Sequence, residues 1–182
     1  MVPIDRPIIS PVLVGRTREV DVLETVLRTV RQGQGQIVLL AGEAGVGKSR
    51  LVAELRQRAV LDHWTILAGH CFERDVVFPY APLIDALRAF IWPHPAAVVA
   101  DLLGVLAAEL VKLLPELAPA IPNLRPTAPL DPEAEKRRLF EALLQFLARL
   151  TQVPHPTSLL LILEDLHWRG ATRLAFFSLL AP

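Results

Sequence analysis

An α/β fold of three layers, with helices on both faces of a mainly parallel sheet, follows from three features of this sequence. Short continuous apolar runs alternate with helical stripes along the chain. One run, Ile37-Val38-Leu39-Leu40-Ala41, passes directly into a glycine-rich turn and then into a helical pattern from Leu51. Another, Leu159-Leu160-Leu161-Ile162-Leu163, ends in two acids, Glu164 and Asp165. Strands buried on both faces read as such runs. Glycine loops and acids at their C-terminal ends lie where open α/β sheets hold ligands.

Composition narrows the class further. A chain of 182 residues suits one domain with a real core. With 52% hydrophobic and 21% charged residues it is apolar-rich but soluble. Its 19 basic and 19 acidic residues cancel, so no global field draws it to nucleic acid or to an anionic membrane. Direct nucleic-acid binding by this segment is therefore not expected. The single cysteine, Cys71, excludes an intrachain disulfide and reads as a small hydrophobe. His63, His70, His94 and His155 do not fall at a metal-ligand spacing. No long apolar stretch follows Pro3, Asp5, Arg6 and Pro7, so no secretory signal is read. The richest apolar region, Ala96 to Leu114, carries Asp101, Glu109 and Lys112 on roughly one helical stripe with Glu116. It reads as a helix buried on most sides rather than a membrane span, and a cytoplasmic location is expected.

In order along the chain, residues 1–11 hold Pro3, Pro7 and Pro11 and form an extended lead-in. Val12-Leu13-Val14-Gly15-Arg16 turns into a first helix with Thr17 as N-cap. Its apolar stripe is Val20, Leu23, Leu27 and Val30. The helix after Lys48 runs to about Ala59, and Trp64-Thr65-Ile66-Leu67-Ala68 is a second strand. His70 to Pro82 reads as a loop and Leu83 to Ile91 as a helix. Residues 93–130 form a helical and proline-rich insertion, with prolines at 115, 119, 122, 126 and 129. Asp131-Pro132-Glu133 starts a long helix, a cap followed by proline in the first turn. Its stripe is Leu139, Leu143, Leu147 and Leu150, backed by Phe140, Leu144 and Phe146. Lys136, Arg137 and Arg138 are expected on its solvated face, and Trp64 and Trp92 in the core. A last short helix spans Ala171 to Leu180.

The glycine-rich turn carries the chemistry. Residues 42–49, Gly-Glu-Ala-Gly-Val-Gly-Lys-Ser, match G-x-x-x-x-G-K-[ST] in full, the Walker A pattern. The plainer alternative is a glycine turn that contains a lysine; an apolar run before it and a helix after it favour the phosphate loop. Glycines let successive N–H groups converge on an anion, and the helix adds the positive end of its dipole. Gly42, Glu43, Ala44, Gly45, Val46, Gly47, Lys48, Ser49 and Arg50 are thus the expected nucleotide contacts. Lys48 reaches the terminal phosphates and the Ser49 hydroxyl takes a position on Mg²⁺. Glu164 and Asp165 then read as the Walker B acids, catalytic and metal-side residues at once. One holds the Mg²⁺ hydration shell and the other orients or deprotonates the attacking water. Position gives Glu164 to the metal and Asp165 to the water, and the reverse assignment is open.

Leu161-Ile162-Leu163-Glu164-Asp165-Leu166-His167-Trp168 resembles the Walker B block of origin-recognition-like AAA ATPase domains. Such domains occur in STAND-type P-loop NTPases, including MalT-like and other LuxR-type regulators. Val14-Gly15-Arg16 resembles that family's opening motif, which implies that these three residues lie beside the adenine. Phe78-Pro79-Tyr80-Ala81-Pro82-Leu83 and Leu113-Leu114-Pro115-Glu116-Leu117 also resemble the family, so the likeness covers almost the whole chain. It implies binding of ATP and Mg²⁺ through Gly42, Gly45, Gly47, Lys48 and Ser49, with Glu164 and Asp165 on the Mg²⁺ side. Where the family often has an acid two residues after the tryptophan, this chain has Gly170, preceded by Arg169. That departure bears on catalysis rather than on binding.

Residues 1–182 accordingly read as the N-terminal part of one such domain, incomplete at its C-terminal end. In the family's sheet a strand that follows Walker B inserts between the Walker A and Walker B strands, and that place is expected to stand empty here. Further modules or a partner chain are expected outside the segment, and little or no turnover is expected from this chain alone. Two functions stay open: an ATP-driven conformational switch in signalling or transcription regulation, and a nucleotide-binding or interaction fragment without turnover. A phosphotransferase is a distant third, since no acceptor site is visible.

Overall fold

A computed structural model describes residues 15–70, 80–152 and 155–164. The chain divides into two compact units, residues 1–58 and 59–182.

In the first unit, helix α1 spans Thr17–Arg31, and helix α2, Lys48–Leu61, begins there and runs past the division. The α1 stripe turns inward as its spacing requires, with Leu23 and Leu27 buried. Thr17 is not the N-cap. It is already the first helical residue, and Arg16 takes the cap position without a side-chain cap bond; the Arg16 carbonyl accepts from the Val20 amide at 3.0 Å. Gly33, at φ +83°, closes the helix in the left-handed conformation that glycine adopts without a steric penalty. An ion pair from Arg58 to Glu24 ties α2 to α1, and Arg58 also pairs with Glu54 at 3.0 Å one turn back.

Residues 37–41 form no strand, contrary to the sequence expectation. Ile37, Val38 and Leu39 are 48%, 43% and 60% exposed. A strand exists through its ladder, and among the described residues none is paired with this run; apolar content cannot replace the missing hydrogen bonds.

The second unit holds a two-stranded parallel sheet, β1 (Thr65–His70) beside β2 (Leu159–Glu164). Register runs from Thr65 opposite Leu159 to His70 opposite Glu164. Helix α3 (Ala81–Ile91) lies against β1, and Gly69 is the reason it lies so close. A Cβ there would overlap the Pro82 carbonyl oxygen and sit 2.6 Å from the Ala86 amide nitrogen. One core joins Leu67 of β1 to Leu83, Ala86, Leu87 and Ile91 of α3, and both to the long helix α6 (Pro132–Leu150) through Phe140, Leu143 and Phe146. Asp131 caps α6 as read: its Oδ1 accepts from the Ala134 amide at 3.0 Å, with Pro132 in the first turn.

The apolar region after Pro95 is not one helix. It breaks into α4 (Ala96–Leu103), a 3₁₀ turn at Gly104–Leu106 and α5 (Ala107–Leu110). Gly104, at φ +49°, makes the break, and Arg149 of α6 caps α4 by donating from Nη1 to the Leu102 and Leu103 carbonyls at 3.1 and 2.9 Å. The break also overturns the expected charged stripe, because Glu109 turns inward and is buried. Arg138, expected on a solvated face, answers it: Arg138 Nε lies 2.6 Å and Lys112 Nζ 3.0 Å from its carboxylate oxygens. These are contacts of charge, off the line of a good hydrogen bond. The same guanidinium donates to Ala128 O and Thr127 Oγ1 at 3.0 Å each, pinning the proline-rich connection to α6. Within that connection Pro115–Ala120 forms a further 3₁₀ segment. Trp64 is buried as expected, but Trp92 is 82% exposed, since α3 has ended and the side chain leaves the core at its cap. Leu144 is also partly exposed, at 38%, on the flank of the α6 stripe.

Candidate nucleotide-binding site

The phosphate loop lies wholly in the first unit. Gly42, Gly45 and Gly47 take φ of +157°, +79° and +95°, and at the latter two a side chain would be strained. At Gly42 a Cβ would also crowd Val46, lying 3.0 Å from its Cγ1. Helix α2 begins at Lys48, and the Leu51 amide bonds back to the Gly47 carbonyl at 3.1 Å. The amides of that first turn therefore have no earlier carbonyl within the helix and are available to an anion. Gly42 to Gly47 and Ser49 are exposed, while Lys48 and Arg50 are half-buried.

Two cations grip the loop's carbonyls. Lys48 folds back so that Nζ donates to Gly42 O and Glu43 O, both at 2.9 Å. Arg16 donates from Nη2 to Val46 O at 2.6 Å and from Nη1 to Glu19 Oε1 at 2.9 Å. The Glu19 carboxyl is held below its ordinary value by its own backbone amide first and by the Arg16 hydrogen bond next. Structure thus brings Arg16 to the loop predicted from the motif; Gly15, at φ +75°, precedes it, and Val14 lies outside the described residues.

In the second unit Glu164 is the last residue of β2, and its side chain is 26% exposed. Its neighbour in register is His70, which no motif had marked. His70 Nε2 lies 3.8 Å from Glu164 Oε1 and Nδ1 lies 3.7 Å from Asp85 Oδ2 on α3. The His70 amide also donates to that Asp85 oxygen at 2.9 Å. Only the strand register places His70 beside the acid, and register is not written in a single apolar run. Among the described residues no group of three or more His, Cys, Asp or Glu side chains is arranged to hold a metal ion. Asp165, His167, Trp168, Arg169, Gly170, Cys71, Phe78, Pro79 and the helix expected at 171–180 lie outside the described residues. No described helix is long and apolar enough to cross a membrane.

The sequence is 27% identical over 173 residues to a protein of Rhizobium meliloti (strain 1021) described as uncharacterized. That match takes in 88% of this chain but only 16% of the relative's length. No solved structure matches at a significant level. The AAA ATPase domain family matches residues 12–182, which include the 42–49 glycine loop and the parallel strand pair. The chain belongs to the AAA ATPase domain family.

Proposed function

We propose that this chain binds ATP with Mg²⁺ at the 42–49 loop, and that hydrolysis serves as a conformational switch in a cytoplasmic signalling or transcription-regulatory protein. The observation that carries the reading is the loop itself. Its two left-handed glycines, its open first-turn amides and a lysine poised over its carbonyls are what a polyphosphate needs. Lys48 would exchange the Gly42 and Glu43 carbonyls for phosphate oxygens, a gain in charge complementarity since carbonyls carry only partial charge.

Ser49, Glu164 and Asp165 would hold the ion, which supplies neutralisation of charge on the phosphates. The Ser49 hydroxyl is exposed at the head of α2, and Glu164 presents a hard oxygen donor, the type Mg²⁺ takes. Glu164 or Asp165 would orient the attacking water. Adenine preference and further modules beyond this segment are part of the proposal, supported by the family match and by the much longer relative.

The test is calorimetric titration of Mg-ATP into the chain and into Lys48→Ala. Loss of a charge-assisted contact worth roughly 1.5–3 kcal/mol should weaken binding by about ten- to more than a hundredfold. Equal affinity in the two proteins would show that the loop is not the site.

A further inference from the structure

Arg16 grips the phosphate loop from outside it, and the carbonyl that it holds decides the direction of an amide. A trans peptide is planar, so the Val46 carbonyl and the Gly47 N–H point in opposite directions within one plane. Gly47 sits at φ +95° and is bounded by no Cβ, so little in the loop's own sterics keeps that peptide from rotating. The Arg16 guanidinium supplies the missing restraint through a 2.6 Å charge-assisted hydrogen bond to Val46 O. The guanidinium is itself fixed, because its other arm is held by Glu19, three residues on in the first turn of α1. With the carbonyl drawn toward Arg16, the Gly47 N–H must face the other way.

Lys48 makes the same kind of contact to Gly42 O and Glu43 O, but its grip is of a different kind. On the reading given above, Lys48 has to release its carbonyls to meet a phosphate. Arg16 has no such exchange to make.

We propose that Arg16 is a positioning residue for the phosphate loop: it holds the Val46–Gly47 peptide so that the Gly47 amide is preset for a phosphate oxygen, and it acts through the loop rather than on the base. This inference rests on the proposal that the loop binds a nucleotide. It makes a distinct claim, however. A residue that sets the loop contributes equally to every polyphosphate, whatever base is attached, whereas a residue that packs beside adenine contributes to ATP alone.

The experiment titrates Mg-ATP, Mg-GTP and Mg-tripolyphosphate into the 182-residue chain and into Arg16→Gln and Arg16→Lys. In Arg16→Gln all three affinities should fall by a similar factor, about 5- to 30-fold for one charge-assisted contact at an exposed site. Arg16→Lys, which keeps the charge but not the two-armed geometry, should recover part of the loss for all three. In the nucleotide-free protein, the Gly47 amide resonance of Arg16→Gln should shift or broaden while helical circular dichroism stays unchanged. A loss confined to ATP, or no loss, overturns the inference and leaves the nucleotide-binding reading intact. Should Arg16→Gln fail to fold, Arg16→Lys decides: a common loss across the three ligands supports the inference, and undiminished affinity overturns it. Failure of the unsubstituted chain to bind any of the three overturns both readings together.

Discussion

Replacing Gly69 by alanine adds one methyl group to the close contact between β1 and α3. The added Cβ would overlap the Pro82 carbonyl oxygen and stand 2.6 Å from the Ala86 amide nitrogen and 2.9 Å from the Ala86 Cβ. Ordinary contact begins at 3.4 Å, and the obstructing atoms are mainly backbone, so no side-chain rotation relieves them. α3 must instead move off β1 by about an ångström, which opens the interface where Leu83, Ala86 and Leu87 meet Leu67. Overpacking of a rigid core costs about 1–3 kcal/mol and more where backbone must shift, so we place this substitution at about 3 kcal/mol or above. For a chain of this size that corresponds to a fall in melting temperature of about 6–12 °C. Thermal unfolding followed by circular dichroism, with urea unfolding as a second measure, provides the assay. A variant that melts within about 2 °C of the parent would show that α3 is not seated on β1 as described.

Three further substitutions test other parts of the structure. Burial raises the pKa of the Glu109 carboxyl, but the neighbouring Thr127 hydroxyl and the charges of Lys112 and Arg138 outweigh it, leaving the pKa below the ordinary 4.5. A carboxyl so lowered adds stability above the unfolded value and loses it as pH falls through the folded one. Glu109→Gln should therefore cost about 1–3 kcal/mol near pH 7, the partial exposure of Lys112 and Arg138 keeping it below a fully buried pair, and the difference in urea midpoint from the parent should shrink below pH 4.5. Arg149→Met keeps the length of the side chain but leaves the Leu102 and Leu103 carbonyls without their donor, and should cost about 1.5–3 kcal/mol by urea unfolding; no change would mean that water serves α4 equally well. Glu164→Gln should leave nucleotide affinity within about threefold while removing whatever Mg²⁺-dependent phosphate release the chain supports, and retention of that release would remove Glu164 from the chemistry.

Where a local pattern decided an element, the sequence was readable. Asp131-Pro132 capped α6, the leucine stripe buried Leu143, Leu147 and Leu150, and the glycine motif formed a loop at the head of a helix. The strands at Thr65–His70 and Leu159–Glu164 lie within a residue or two of the apolar runs that implied them. What failed depended on partners far along the chain. Ile37–Ala41 has a strand's composition without a ladder. Ala96–Leu114 looked like one helix because the break relies on Gly104 and on Arg149, which arrives from α6. Glu109 and Arg138 each look like surface charges when read alone, and each explains the other's place. At the site the same rule held: the loop was legible, but Arg16 on Val46 O and His70 beside Glu164 come from tertiary contact and strand register.

The parallel pairing of β1 with β2 also sets an order of events in the making of the protein. Thr65 and Leu159 face each other in register across an interval of some ninety residues, and the Thr157 hydroxyl reaches the His63 carbonyl over a separation of 94. During synthesis at about 5–20 residues per second, β1 therefore waits roughly 5–20 seconds for the strand that completes it. In that interval the chain that emerges is α3 to α6, the helices whose side chains form most of the core against Leu67. A helical cluster closed by nearby contacts forms far faster than a distant strand pair. β2 would then dock onto a surface already prepared by α3 and α6. Lesions in the proline-rich stretch, though far along the chain from Glu164, would be felt as a delay in bringing Glu164 to its place beside His70.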